Sequence, residues 1–201
     1  MNKKTAFGSK SDVMRCGRCG KFVDWEDARL QIVCGCRPQL DLPPVLVREA
    51  SAEDKARALE LFRRDFGPAQ LVAYGAPISL DDADALVAET YKEIAGALAW
   101  RHFDGGFHIL ALATDPMWQR AGVGGHLVAE AELLARRQRQ PRVIVTVTND
   151  NLPAIYFYQR RGYRFSAILK DSGAALGKGE AAVGFAGISI TDELQLRKEL
   201  D

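Results

Sequence analysis

Two hydrophobic periods alternate along the chain, one typical of β-strands and the other typical of α-helices. Short apolar or alternating stretches bounded by turn residues predict strands. They lie at residues 45–49, 86–91, 93–102, 107–114, 142–148 and 163–169, and a last strand is predicted within residues 187–196. Between residues 122 and 138 the apolar positions recur with the spacing of one helix face, which predicts an amphipathic helix.

Local signals at helix ends place two more helices. Ser51-Ala-Glu-Asp54 is similar to a capping box, in which two side chains satisfy backbone N–H groups at a helix start, and Gly67-Pro68 ends that helix. Asn151 is a capping residue, Pro153 falls in the following first turn, and Gly162 ends the helix. Each helix therefore has a start and an end that local sequence predicts.

Composition and charge narrow the class of protein. The chain has 201 residues, 47% of them apolar, which is enough for one sizeable core and a small appendage. The 27 Lys and Arg nearly balance the 26 Asp and Glu, so no global field favours nucleic acid or a membrane. No apolar run approaches the roughly 18 residues of a membrane helix, and the amino terminus lacks the apolar segment of a secretory signal. We therefore expect a cytoplasmic protein.

All four cysteines lie in one short segment and have the spacing of metal ligands. Cys16, Cys19, Cys34 and Cys36 form two pairs that can converge on one Zn²⁺, which binds four thiolates at about 2.3 Å and then has no open position. The segment resembles a zinc ribbon, although a single residue separates the second pair. A disulfide, a redox-active pair or unrelated thiols are the alternatives. A reducing cytoplasm favours structural zinc.

The cysteine segment also suggests a possible partner. Residues 1–40 contain eight Lys and Arg against four Asp and Glu, and Phe22 and Trp25 could offer stacking faces to nucleic acid or protein. The alternative, which we favour, is that these residues form a small core over the metal. The predicted organisation is a disordered leader at 1–12, the zinc-ribbon-like segment at 13–40, a linker at 41–44 and one larger domain at 45–201.

A glycine-rich turn between a strand and a helix is the strongest functional signal. The strand ends at Asp115-Pro116, and Gly122, Gly124 and Gly125 open the next helix. Unpaired backbone N–H groups and the positive end of the helix dipole together suit a phosphate. A tight strand-to-helix turn without a ligand is the alternative. No Gly-Lys-Ser/Thr is present, which argues against a Walker-type nucleotide loop, and the glycine spacing does not fit a dinucleotide fingerprint.

Two ordered motifs resemble those of the GNAT superfamily of N-acetyltransferases. Gln119-Arg-Ala-Gly-Val-Gly124 is similar to its Gln/Arg-x-x-Gly-x-Gly/Ala signature. Its second signature, Asn-x-x-Ala-x-x-Phe-Tyr-x-x-x-Gly-Phe/Tyr, is matched at Asn151, Ala154, Phe157, Tyr158, Gly162 and Tyr163. The tail that begins at Gly187 is similar to the Gly-Ile-Pro-Ile-Arg-Asp-Glu ending of a bacterial subgroup. The resemblance covers about residues 45–200 and is densest from 107 to 163.

The resemblance implies a fold, a reaction and a cosubstrate. The fold is α/β (α+β), with a central mixed, mostly antiparallel sheet of six to seven strands flanked by helices. The reaction is direct transfer of an acetyl group from acetyl-coenzyme A (acetyl-CoA) to a primary amine of a small molecule or protein. We expect the diphosphate on the N–H groups after Trp118, the pantetheine arm on an open strand edge, and an oxyanion-stabilising N–H near Leu112. The expected cofactor-binding residues are Leu112, Ala113, Thr114, Gln119, Arg120, Ala121, Gly122, Val123, Gly124, Gly125 and Asn151.

Two residues are candidates for proton transfer. Tyr158 aligns with the residue that protonates the leaving thiolate in many relatives; it could instead pack on the helix or orient the cofactor. His108 lies near the position of a glutamate that serves as base in protein-acetylating relatives, and an imidazole can accept a proton at neutral pH. A structural histidine is the alternative, with Glu89 and Glu93 as rival bases.

A second class of function remains open. The chain could be a zinc-ribbon adaptor for nucleic acid or protein whose GNAT domain binds CoA without turnover. The intact glycine turn together with Tyr158 favours the enzyme. We expect a monomer or homodimer without membrane attachment, and neither the acceptor amine nor the acyl chain length is readable from the sequence.

Overall fold

The computed structural model describes residues 13–15, 22–24, 44–67, 70–73, 76–103, 105–172 and 183–201. The chain divides into two compact units, residues 1–41 and 42–201. In the first unit, strand β1 (Val13–Arg15) pairs antiparallel with strand β2 (Phe22–Asp24). The predicted leader and all four predicted zinc ligands lie outside the described residues. Those ligands are Cys16, Cys19, Cys34 and Cys36, and the zinc site stays a prediction.

A seven-stranded mixed sheet forms the centre of the second unit. Its strands along the chain are β3 (Leu46–Glu49), β6 (Asp84–Thr90), β7 (Glu93–Phe103), β8 (Gly106–Thr114), β9 (Arg142–Thr148), β10 (Arg164–Leu169) and β11 (Glu193–Glu199). Their spatial order is β10-β11-β9-β8-β7-β6-β3, and of these pairs β8–β9 is parallel and the others are antiparallel. This confirms the mixed, mostly antiparallel sheet that the motifs implied.

Two details differ from the periodic pattern or add to it. The last strand begins at Glu193 rather than at Gly187, because Phe185–Gly187 forms a 3-10 turn. The region before β6, where the sequence predicts no strand, contains a separate antiparallel hairpin, β4 (Gln70–Ala73) and β5 (Ala76–Ser79).

Three helices flank the sheet among the described residues: α1 (Ala52–Phe66), α2 (Val123–Arg137) and α3 (Leu152–Gln159). The predicted capping box is present, since the Ser51 hydroxyl accepts a hydrogen bond from the Asp54 N–H at 3.3 Å and the Asp54 carboxylate accepts one from the Ser51 N–H at 2.7 Å. The Asn151 side chain accepts a hydrogen bond from the Ala154 N–H at 3.1 Å and caps α3 as predicted. None of the described helices has the length and apolar character needed to cross a membrane.

The sheet separates two hydrophobic layers. On one face, Leu61 and Phe62 of α1 pack in a cluster with the small side chains of β7 and β8. On the other face, the apolar stripe of α2 packs together with Tyr158 of α3 and the inward side chains of β7, β8 and β9. Because the side chains of a strand alternate between faces, each strand position belongs to one layer or the other.

Candidate active site

Strands β8 and β9 begin as neighbours and then part. Only residues 107–109 of β8 pair with β9, and their partners are residues 143–145. Beyond that point, the described part of β8 pairs with β7 as far as Thr114, and that of β9 pairs with β11 as far as Thr148. The second half of β8 therefore has one open edge, and unpaired backbone N–H and C=O groups along such an edge can accept an added extended chain.

A bulge in β8 lies where the strands part. Ala99 of β7 is opposite Ala111, whereas its neighbour Trp100 is opposite Ile109, so Leu110 is an extra residue without a partner position. A bulge of this kind bends its strand and raises the local twist. The expected pantetheine residues Leu112, Ala113 and Thr114 follow the bulge directly, on the segment of β8 with the open edge.

The glycine-rich turn begins α2 at the end of this open edge. Asp115 accepts a hydrogen bond from the Met117 N–H at 3.0 Å and starts a 3-10 turn, and the chain then reverses through Arg120 and Gly122, whose φ angles are 66° and 89°. Gly122 is the helix N-cap and supplies no side-chain cap. The first-turn N–H groups of α2 thus have no partner within their own helix and face the same end of the sheet as the open edge of β8.

The first turn of α2 packs against α3. A Cβ built on Gly124 would lie 3.6 Å from the Phe157 ring, an ordinary contact, whereas one built on Gly125 would lie 2.7 Å from the Arg161 guanidinium. A side chain at Gly124 would therefore make an ordinary contact, whereas one at Gly125 would require the Arg161 guanidinium to move. Local sequence did not indicate the contact between Gly125 and Arg161.

Tyr158 of α3 lies in the hydrophobic layer that α2 and α3 form with the sheet. Its side chain is only 4% exposed, and its ring is 5.1 Å from that of Phe157 and 5.3 Å from that of Tyr163. Burial raises the pKa of the Tyr158 phenol above its ordinary value, and the nearby Arg161 cation opposes that rise. The Tyr158 phenol therefore stays protonated over at least the pH range in which an unperturbed tyrosine does.

His108 lies on the opposite face of the sheet from Tyr158. Its sequence neighbours Phe107 and Ile109 belong to the layer of Tyr158, so the alternation of side chains directs His108 to the other face. There it is 1% exposed and its ring stacks on Phe103, with centroids 3.6 Å apart. The structure places the two candidate proton-transfer groups on β8 and α3 but does not bring them together on one face.

The two rival bases differ in their surroundings. Glu89 of β6 accepts hydrogen bonds from Arg48 at 3.0 and 3.3 Å, and Arg48 also pairs with Asp54. An ion-paired carboxylate two strands away from β8 is a poor candidate for a base at the β8–β9 opening. Glu93 lines a cleft of about 460 Å³ at the end of β8, together with residues such as Lys92, Asp115 and Trp118.

A set of side-chain hydrogen bonds lies beside the opening, and local sequence did not predict it. The Asn149 side chain accepts hydrogen bonds from the N–H groups of Thr191 and Asp192, at 2.9 and 3.1 Å, and donates one to the Ser189 carbonyl at 2.9 Å. Asp150, which is buried, accepts one from the Phe185 N–H at 2.9 Å. These bonds fasten the segment before β11 to the end of β9. The run of Asn and Asp residues before α3 was the available signal.

The comparisons with known proteins agree with this geometry. Residues 50–163 match the family model described as acetyltransferase (GNAT) family. An uncharacterized protein of Bacillus subtilis, YdhI, is 28% identical over 146 residues, which cover 71% of this chain and 90% of that protein. The chain therefore belongs to the GNAT acetyltransferase family and is an N-acetyltransferase.

Solved structures share the fold. A GNAT family acetyltransferase from Elizabethkingia anophelis with acetyl-CoA bound has a TM-score of 0.60 and 21% identity, covering 78% of this chain and 98% of that one. A Bacillus subtilis acetyltransferase in complex with CoA has a TM-score of 0.60 and 19% identity, covering 80% of this chain and 100% of that one. At these identities the similarity establishes the fold.

Proposed function

We propose that this protein transfers an acetyl group from acetyl-CoA to a primary amine of a small molecule or protein, by direct attack of the amine. The observation that supports the proposal best is the open edge of β8 next to the uncapped first turn of α2. Together they offer backbone groups for an amide-containing arm and N–H groups for an anion. The related folds with acetyl-CoA or CoA bound support the same cosubstrate.

The residues present fit such a cosubstrate. Leu112, Ala113 and Thr114 follow the bulge on the unpaired half of β8, where a pantetheine arm would complete the sheet edge. The turn from Gln119 through Arg120, Ala121, Gly122, Val123 and Gly124 to Gly125 would hold the diphosphate. Asn151, which caps α3 on the far side of the opening, is the remaining proposed cofactor contact.

Acetyl-CoA supplies the acetyl group as a thioester. An N–H on β8 near Leu112 would stabilise negative charge on the carbonyl oxygen as the amine nitrogen attacks. Tyr158 would give its proton to the thiolate as the carbon–sulfur bond breaks, and burial keeps that proton in place beforehand. Because His108 and Tyr158 lie on opposite faces of the sheet, the amine would arrive on the His108 face while the thiolate leaves toward Tyr158. His108 would then accept the amine proton.

Thiol release from acetyl-CoA tests the proposed activity. We expect that at least one member of a panel of small amines and amino-terminal or lysine-bearing peptides raises CoA release well above hydrolysis without acceptor. The measurement is a colorimetric thiol assay, with mass spectrometry of the acetylated product. Binding of CoA without acceptor-dependent release from any member would favour the non-catalytic adaptor instead.

Tyr158→Phe tests the proton donor. We expect kcat to fall by about 10²- to 10⁴-fold, the usual contribution of general acid catalysis, with little change in CoA affinity. Because the pKa of Tyr158 is raised, the phenol of the wild-type protein stays protonated at alkaline pH. Its kcat should therefore show no decline from loss of this proton up to about pH 10, the ordinary value for tyrosine. A variant as active as the wild type would exclude the role.

His108→Ala tests the base. We expect acetyl transfer to fall, because the variant has no imidazole on that face to accept the amine proton, with CoA affinity unchanged. The pH profile of kcat/KM for the amine is the measurement. His108→Gln is the matched control, because it keeps a polar side chain on the same face without a titratable group and should lose activity equally. A pH profile identical to that of the wild type would contradict the assignment.

We also infer that Cys16, Cys19, Cys34 and Cys36 hold one structural Zn²⁺. Two arguments support this inference: the spacing of the cysteines, and the need of so short a segment for a cross-link. Elemental analysis of the chain purified under reducing conditions should find about one zinc ion per chain if all four thiolates bind it. Cys34→Ser should lower that content, whereas a zinc-free wild-type protein would rule the site out.

A further inference from the structure

Arg161, just beyond the end of α3, extends its side chain to the first turn of α2. Its guanidinium carbon lies 3.6 Å from the centroid of the Phe157 ring, and its Nη1 donates a hydrogen bond to the Phe157 carbonyl at 2.9 Å. Its Nη2 occupies the space that a side chain at Gly125 would need, since a Cβ there would lie only 2.7 Å away. The missing side chain at Gly125 thus lets a cation approach the backbone of the glycine-rich turn.

The charge of Arg161 is poorly compensated within the protein. Burial lowers the pKa of its guanidinium below the ordinary value, which means that part of its hydration is lost. Among the ion pairs of the described residues, none involves Arg161. Of the two acidic groups that act on it most, Tyr158 is a buried phenol that keeps its proton, and Glu132 is held by the Lys198 ammonium at 2.6 Å.

The position of this cation adds to the imbalance. The amino-terminal end of α2 carries the positive pole of the helix dipole, and Arg161 lies beside its first turn. The positive end of the α2 dipole and the partly dehydrated Arg161 guanidinium repel each other unless an anion lies between them. Stacking on Phe157 offsets a part of that cost, because an aromatic face attracts a cation.

We propose that Arg161 binds the diphosphate of CoA and acts as a cationic side-chain anchor beside the N–H groups of the α2 turn. The inference rests on the proposed function and deepens it. A guanidinium gives charge-assisted hydrogen bonds to phosphate oxygens. The ring of Phe157 and the bond to its carbonyl hold the group in place before the ligand arrives.

A purely structural role would be different. The bond from Arg161 to the Phe157 carbonyl could serve only to close the end of α3. That role depends on a hydrogen-bond donor and not on a full positive charge. It would make CoA affinity indifferent to the charge at position 161 and to the presence of phosphate on the ligand.

Calorimetric titration of the full chain with CoA and with 3′-dephospho-CoA is the main test. For Arg161→Gln we expect both ligands to bind about 10- to 100-fold more weakly, the usual effect of losing a charged hydrogen bond, and by similar factors. The control is Arg160→Gln, because the neighbouring Arg160 is exposed and donates to the Tyr156 hydroxyl. This variant also removes one positive charge, at the residue before Arg161. Its affinity for both ligands should stay within about twofold of the wild type, as expected for an exposed charge screened by salt.

The outcomes separate the inference from the proposed function. If the wild-type protein binds neither ligand, the proposed function itself fails. If the wild type binds both and Arg161→Gln binds them equally well, only the role of Arg161 fails. A loss confined to CoA would assign Arg161 to the 3′-phosphate and overturn the diphosphate assignment.

A measurement on the wild type covers the case in which Arg161→Gln does not fold. In ¹⁵N-labelled protein, the Arg161 Nε–Hε resonance should shift on addition of 3′-dephospho-CoA and stay in place on addition of pantetheine, which lacks the diphosphate. A resonance that responds equally to both ligands, or to neither, would contradict the proposal.

Discussion

The parting of β8 from β9 is the constraint on which the proposed site depends. Seven strands exchange backbone hydrogen bonds across the sheet, and at this one junction the pairing stops after three residues on each strand. The extra residue Leu110 bends β8, and the small side chains of Ala111 and Ala113 beyond it pack in the layer of α1. The sheet thus stays anchored on one side while the backbone of β8 remains open on the other. A buried polar backbone without partners is costly, and a ligand rich in amides can supply those partners.

The same opening explains how one residue from each face could act on a single reaction. Tyr158 lies in the layer of α2 and α3, whereas His108 lies on the opposite face against Phe103, in the paired part of β8 just before the opening. A sheet that is closed by hydrogen bonds would keep these groups apart. Where the strands diverge, a thioester placed between them is accessible from both faces. The separation of the two side chains is therefore compatible with a donor for the leaving group and an acceptor for the attacking amine.

Charge around the glycine-rich turn follows from packing between helices rather than from the turn alone. Gly124 and Gly125 let α3 approach α2, and that approach places the Phe157 ring and the Arg161 guanidinium beside the helix start. On the other side of the opening, Asn149 and Asp150 fasten the segment before β11. Both contacts restrict the walls of the opening, so the proposed cosubstrate would meet a largely preformed site.

Local sequence determined the helices, their caps, most strands and the position of the glycine-rich turn, because hydrophobic period and capping act over a few residues. Ser51 with Asp54, Asn151 and Gly122 are the clear examples. Local sequence could not show the bulge at Leu110, the face on which His108 lies, or the contact of Arg161 with Gly125. Those features depend on strand register and on the approach of residues far apart in the chain, and only the tertiary structure decides them.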